Sequence, residues 1–145
     1  MKCPFCEINK EKTVIINEGK NTRVILSNPK LMQGHLLVIP KRHVEKISQL
    51  EKNEREELFD KVIEFQEKIL VKIAKGCDIR QNFRPFQKED NLKVNHLHIH
   101  LQPREFEDKL YNKSQIFEKQ IFSELTKQEK DKIIKIFVNF NLKRI

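Results

Sequence analysis

Three of the five histidines fall in one short run, Asn95-His96-Leu97-His98-Ile99-His100-Leu101-Gln102-Pro103-Arg104, where they alternate with apolar residues. Successive side chains of a strand point to opposite faces, so the run places three imidazoles on one face and Leu97, Ile99 and Leu101 on the other. A helix would spread the same residues around its circumference, and the pattern therefore predicts a strand with one chemical face and one core face. Alternate Cα atoms of a strand lie about 6.6 to 6.8 Å apart, which makes the imidazoles a row roughly 13 Å long. Such a row suits metal binding, because two histidines one residue apart can reach the same ion. It equally suits nucleophilic catalysis, in which a neutral imidazole attacks phosphorus while its neighbours hold the charge.

A metal centre built on these histidines needs further ligands, and Cys3 and Cys6 offer thiolates. They form a C-x-x-C pair in a tight turn shaped by Pro4. Such thiols are redox-active, half of a zinc site, or idle. A redox pair is expected beside a thioredoxin-like β-α-β pattern, whereas a β-meander follows here, which favours metal. A tetrahedral set of Cys3, Cys6, His43 and one terminal histidine of the row would close a structural zinc site and leave the other two histidines free. Cys77 stands alone and reads as a small buried hydrophobe.

The remaining elements follow from periodicity and turn residues. Residues 13–17 and 22–27 are β-rich and flank Glu18-Gly19-Lys20-Asn21, a hairpin loop. After Asn28-Pro29, Leu31-Met32-Gln33-Gly34 leads into His35-Leu36-Leu37-Val38-Ile39-Pro40, apolar almost throughout and so predicted to be a central strand. From residue 47 to about 75, Leu50, Leu58, Val62, Phe65, Ile69 and Ile73 recur at helical spacing, opening near Ser48 or Asn53 and closing at Gly76. Residues 77–83 read as a strand and 84–91 as a polar loop, with Val94 starting the histidine strand. Residues 105–115 are irregular and charged. Two helical patterns follow, 115–125 and 127 to about 140, the second opened by Thr126 and Glu129 in capping-box spacing. Its stripe of Ile133, Ile134, Phe137 and Val138 requires a packing partner.

A chain of 145 residues suits one domain with a substantial core, taken as residues 1–145 with a core at about 3–104 and a charged, helical extension at 105–145. No run of about 18 apolar residues and no secretory pattern is present, so a cytoplasmic location without membrane contact is expected. The net charge of +8 favours anionic partners. The basic residues are interspersed with acidic ones, form no aromatic-interleaved tract, and are met by an anionic small substrate as well as by nucleic acid, which is not the expected partner.

The run from His96 to Gln102 resembles the His-φ-His-φ-His-φ-φ signature of the histidine triad (HIT) family, with Gln102 at the last position, where the family has an apolar residue. Gly34 to His43 is similar to the family's other recurrent stretch, and Cys3-Pro4-Phe5-Cys6 to the N-terminus of its zinc-binding bacterial members. The resemblance covers roughly residues 3–104 in order. It implies an α+β domain with an antiparallel sheet of about five strands, a long central helix and a C-terminal helix. It also implies a homodimer and a nucleotide hydrolase or transferase acting at an α-phosphate.

By the same resemblance, His98 is the nucleophile, His100 binds the α-phosphate oxygens, and His35 completes the catalytic set. His96 joins Cys3, Cys6 and His43 as a zinc ligand. Asn28 stands where the family places a ribose contact. The loop before the triad, where the family keeps a phosphate- or leaving-group contact, here offers Lys93 and, further back, Asn82, Arg84 and Gln87. The expected substrate is an adenine or guanine nucleotide derivative, a phosphoramidate or dinucleoside polyphosphate. Transfer to phosphate or a sugar phosphate, and a non-catalytic nucleotide- or nucleic-acid-binding module, are the alternatives.

Overall fold

The structure is a computed structural model that describes residues 2–138, in two compact units divided between Asp108 and Lys109. The first holds five strands, β1 (Ile15–Glu18), β2 (Thr22–Leu26), β3 (Leu36–Pro40), β4 (Gly76–Arg80) and β5 (Ile99–Arg104), and helix α1 (Lys52–Lys72). All pairings are antiparallel, in the order β1-β2-β3-β5-β4. The architecture is α+β. The nearly continuous apolar run becomes the middle strand β3, buried along its whole length.

The register divides the sheet into two faces. Val24, Leu36, Val38, Ile99 and Leu101 share one, and they pack with Leu58, Val62, Phe65 and Ile69 of α1 into the main core. Ile25, Leu37 and Ile39 share the other, covered by Phe5, Ile8 and Ile15. His100 faces this second side, because it stands opposite Leu37 in the β3–β5 ladder.

Helix α1 starts at Lys52, later than residue 47, where a separate 3-10 turn spans Ile47–Gln49. Glu54 explains the break. Its carboxylate accepts the Glu51 N–H (2.9 Å) and the Arg42 guanidinium (2.7 Å), and Arg42 also donates to the Gln49 carbonyl (2.7 Å). Arg42, first among the causes, holds the Glu54 carboxyl below its ordinary range. Ile73 lies past the helix end and is exposed rather than part of the core stripe. Gly34, at φ +81°, makes the turn into β3; a Cβ there would meet Ile73 Cγ2 at 3.0 Å and Pro103 Cγ at 3.2 Å.

Strand limits also differ from the sequence reading. β4 ends at Arg80 rather than residue 83, and Cys77 on it is half-buried rather than fully buried, packing at the edge of the main core. The histidine strand begins its ladder at Ile99 rather than Val94, since the His96 carbonyl accepts His98 Nδ1–H (2.6 Å) and the Leu97 N–H donates to the Val44 carbonyl (2.6 Å). These bonds use the groups that further strand pairing would need. The alternation survives, and Leu97, Ile99 and Leu101 are all buried.

The second unit holds α2 (Lys109–Lys113), a 3-10 segment (Gln115–Gln120) in place of the first expected helix, and α3 (Lys127–Val138). Thr126 and Glu129 form the expected capping box, with Thr126 N–H on Glu129 Oε2 at 2.9 Å and Glu129 N–H on Thr126 Oγ1 at 3.2 Å. Ile133, Ile134, Phe137 and Val138 are exposed, and the expected end of this helix near residue 140 lies outside the described residues. Among the described residues no helix is long and apolar enough to cross a membrane.

Leu58 is fully buried beneath the sheet. Leu58→Ala is expected to cost about 2–5 kcal/mol, read from the urea midpoint, as the transfer and cavity terms add.

Candidate functional site

The loop after β3 and the segment before β5 run side by side, held by the Leu97–Val44 backbone bond. That contact sets His43 against His96, with ring centroids 5.0 Å apart and edge-on. The N-terminal turn, closed by the Cys6 N–H on the Cys3 carbonyl (3.2 Å), brings both thiols to the same place. Cys3 Sγ lies 3.4 Å and Cys6 Sγ 3.5 Å from His96 Nδ1; Cys6 Sγ lies 3.3 Å and His96 Nδ1 3.2 Å from His43 Nδ1. All four ligand atoms fall within 4.8 Å of one another. Tetrahedral zinc with bonds of about 2.0–2.1 Å to nitrogen and 2.3 Å to sulfur has ligand–ligand edges of roughly 3.3–3.8 Å, so the cluster fits such an ion.

The proton on His96 fits too. Its Nε2 lies 2.8 Å from the Pro40 carbonyl, which can only accept, so Nε2 carries the hydrogen and Nδ1 presents its lone pair to the cluster. Burial and then the neighbouring Cys3 push the Cys6 thiol above its ordinary value, against a smaller opposing effect of Arg23.

The other three histidines form a chain of fixed tautomers. The Leu31 N–H donates to His35 Nδ1 at 3.2 Å, so the neutral His35 ring carries its hydrogen on Nε2 and donates to His100 Nδ1 at 2.9 Å. His100 is left with Nε2–H as a donor. His98 donates Nδ1–H to the His96 carbonyl, leaving its Nε2 lone pair without a partner among the described residues. The His98 and His100 rings lie 4.9 Å apart.

Burial lowers the pKa of all three. His35, 3% exposed, falls to about 4 and His100 to about 3, with the His98 charge adding to burial in both; His35 and Arg80 also act on His100. For His98 burial outweighs the bond to the His96 carbonyl, which acts in the opposite direction.

Two clefts meet at His98 and His100. One, of about 500 Å³, is largely apolar and is lined by Pro4, Phe5, Ile25, Leu26 and Leu37, with Asn28 at its edge. The Phe5 ring stands edge-on to His98 at 5.3 Å and to His96 at 5.8 Å. The other, of about 570 Å³, is lined by Arg80, Asn82, Arg84, Gln87, Lys88 and Lys93, along with Gln102. Thus Cys3, Cys6, His43 and His96 come together, as do His35, His98 and His100, while Asn28 and the pair Gln87 and Lys93 flank the histidines on opposite sides. Lys93 is already occupied. Its Nζ donates to the Arg84 carbonyl at 2.6 Å and to the Gln87 carbonyl, drawing the loop closed.

Sequence reasoning missed Phe5, which sits inside the thiol motif, and Arg80, whose place opposite His100 depends on a strand register. Gln102 stands where the family signature has an apolar residue. It lies on the histidine side, opposite Asp78, buried with 2% exposure at the edge of the second cleft.

The family model described as the HIT domain matches residues 8–107, and the chain belongs to that family. A HIT family protein from Bacillus anthracis str. Ames Ancestor has a similar structure, with TM-score 0.69 and 22% identity over 95% of this chain and 96% of that one. A zinc-bound histidine triad family protein from Mycobacterium smegmatis gives 0.63 and 28% over 76% and 80%. A HIT family hydrolase from Clostridium thermocellum gives 0.56 and 23% over 74% and 94%. No curated protein matches the chain.

His35 and His100 bind protons near pH 6.5 when unfolded but only at about 4 and 3 when folded. Between those limits the unfolded state holds more protons, so stability is full above about 6.5 and falls on acidification by about 1.4 kcal/mol per pH unit for each group. Urea midpoints measured from about pH 8 to about pH 5 check this, and proton NMR should show two imidazoles that do not titrate above about pH 5.

Proposed function

We propose that the chain is a nucleotide hydrolase or transferase. It cleaves at the α-phosphate of a nucleoside phosphoramidate or dinucleoside polyphosphate, with an adenine or guanine base, through a nucleotidyl-histidine intermediate. The observation that carries this reading is the relay of tautomers, which sets an unpartnered His98 Nε2 beside a His100 Nε2–H where the two clefts meet.

In this mechanism the His98 Nε2 lone pair forms a bond to the α-phosphorus as the bond to the leaving group breaks with its electron pair. Water or another acceptor then attacks phosphorus, the P–N bond breaks, and the imidazole is restored. His100 donates Nε2–H to a phosphoryl oxygen, where charge builds in the transition state. His35 is a positioning residue that fixes the His100 tautomer. The apolar cleft takes the nucleoside, with Asn28 as a ribose contact, and Gln87 and Lys93 lie on the leaving-group side.

His98→Ala is expected to lower turnover of such substrates at least about a thousandfold, as loss of a nucleophile does. Mass spectrometry of a quenched reaction should place the nucleotidyl adduct on His98. Full activity in the variant would end the proposal.

Zinc is the group the cluster fits, and Cys3, Cys6, His43 and His96 would hold it. Bound there it supplies structure rather than a reacting group, fixing the N-terminal turn and the His96 ring. The zinc-bound relative supports this reading. Protein purified without added zinc should contain about one ion per chain and lose it in Cys6→Ser. A free-zinc concentration about 100 times Kd should contribute about 2.7 kcal/mol to stability, removed by chelation. Zinc-free protein with both thiols freely titratable would overturn the assignment.

A cytoplasmic homodimer completes the reading. Sedimentation of the intact chain tests the assembly.

A further inference from the structure

The two clefts that meet at His98 and His100 differ in charge. No lysine or arginine lines the apolar one, and its one carboxylate is Asp90, shared with the other. Four cationic side chains, Arg80, Arg84, Lys88 and Lys93, line the second. A cleft bearing charge of one sign concentrates field and draws in ligands of the opposite sign.

These cations are placed and uncommitted to different degrees. Arg80 is the cross-strand partner of His100, so both side chains rise from the same face of neighbouring strands. Opposed residues have Cβ atoms about 4.5–5.5 Å apart, which brings a guanidinium within reach of a phosphate next to one held by His100. Arg80 Nε donates to Asn82 Oδ1 at 3.2 Å, and its other donors have no described partner. Lys93 holds the loop shut through the carbonyls of Arg84 and Gln87, which keeps Arg84 and Lys88 at the rim. Among the described residues no carboxylate pairs with Arg80, Arg84, Lys88 or Lys93. Asp90 turns its Oδ1 to the Leu92 and Lys93 N–H groups at 2.7 and 2.8 Å, so part of its charge is held in the turn.

We infer that the second cleft is an anion subsite, in which Arg80, Arg84 and Lys88 hold phosphate on the far side of the scissile bond and select substrates whose departing or incoming group is itself phosphorylated. The inference rests on the proposed α-phosphate chemistry and adds to it a preference between its substrate classes. As His98 Nε2 bonds to the α-phosphorus, the bond to the bridging oxygen breaks and its electron pair stays on that oxygen. Charge therefore accumulates on the group lying among the cations, and they stabilise it as it forms. An amine leaving group brings no such charge and gains nothing from the same residues. Arginine suits the task because its planar fork matches phosphate oxygens bidentately.

The test uses Arg84→Ala/Lys88→Ala, exposed loop positions whose side chains make no described hydrogen bond, with circular dichroism to verify the fold. The ratio of kcat/KM for a dinucleoside polyphosphate to that for a nucleoside phosphoramidate should fall at least about tenfold in the variant, with a weaker salt dependence. An unchanged ratio overturns the inference. Inorganic tripolyphosphate, titrated by calorimetry against the intact His98→Ala protein, should bind, and about tenfold more weakly when the two cations are also removed. Failure of tripolyphosphate to bind overturns it as well. Because that binding needs no turnover, a chain inactive on every substrate would defeat the proposed function and leave the subsite standing. Adding inorganic phosphate to the phosphoramidate reaction separates the sources: nucleoside diphosphate as product assigns the subsite to an incoming acceptor, and nucleoside monophosphate as the nucleotide product assigns it to the departing group.

Discussion

The site depends on three bonds to one residue. His96, 2% exposed, gives its Nε2–H to the Pro40 carbonyl at the end of β3, its Nδ1 to the thiol cluster, and its own carbonyl to His98 Nδ1–H. The first bond settles which nitrogen can face a metal. The last settles which nitrogen of His98 keeps a lone pair. Both follow from the carbonyls' inability to donate, so a backbone arrangement that contributes no charge determines the tautomers of His96 and His98.

The sheet register extends this control to the substrate side. Leu37, His100 and Arg80 lie abreast on three neighbouring strands, β3, β5 and β4. Going across them, the surface changes from apolar to imidazole to cationic within the width of three strands, about 10 Å. A nucleotide has the same sequence of properties along its length. Its base is flat and largely apolar, its α-phosphate is the reacting centre, and anything beyond carries further charge. In the proposed function, the middle strand and one edge of the same sheet thus sort the two ends of the ligand. Neither face needs a deep pocket, since the row of histidines lies where the two surfaces meet.

The alternation from His96 to Leu101 was legible because burial of one face demands a period of two, and Leu97, Ile99 and Leu101 meet that demand. Cys3, Cys6 and His43 were legible as a candidate metal cluster from the C-x-x-C spacing and a nearby imidazole, and the structure brings them together with His96. The cysteines precede the segment that the HIT domain model matches, so they were readable from their chemistry and from the likeness of Cys3-Pro4-Phe5-Cys6 to zinc-binding members. Strand limits were less legible. The ladder starts at Ile99 because backbone groups upstream bond to His98 and Val44, and no residue type signals such diversions. Arg80 was invisible for a related reason. It belongs to the site only through its pairing with His100, and pairing is a property of two strands at once. Glu54 is one acid among many along the helix and no spacing marks it, yet it anchors Arg42 and with it the loop bearing His43.

The juxtaposition of the cluster and His98 gives His96 two separable parts. Its ring belongs to the cluster, and its carbonyl belongs to the peptide that any residue at that position would supply. The ring's bond to Pro40 and its edge-on contacts with Phe5 and His43 hold that peptide in place. Phe5 also lies edge-on to His98 and stands between Cys3 and Cys6 in the chain, so whatever fixes the two thiols also fixes one wall beside His98. Order at the N-terminal turn is therefore transmitted to the His98 imidazole by two routes, one through a backbone carbonyl and one through an aromatic ring. In the proposed mechanism the cluster takes no part in the chemical step and still governs where that step can happen.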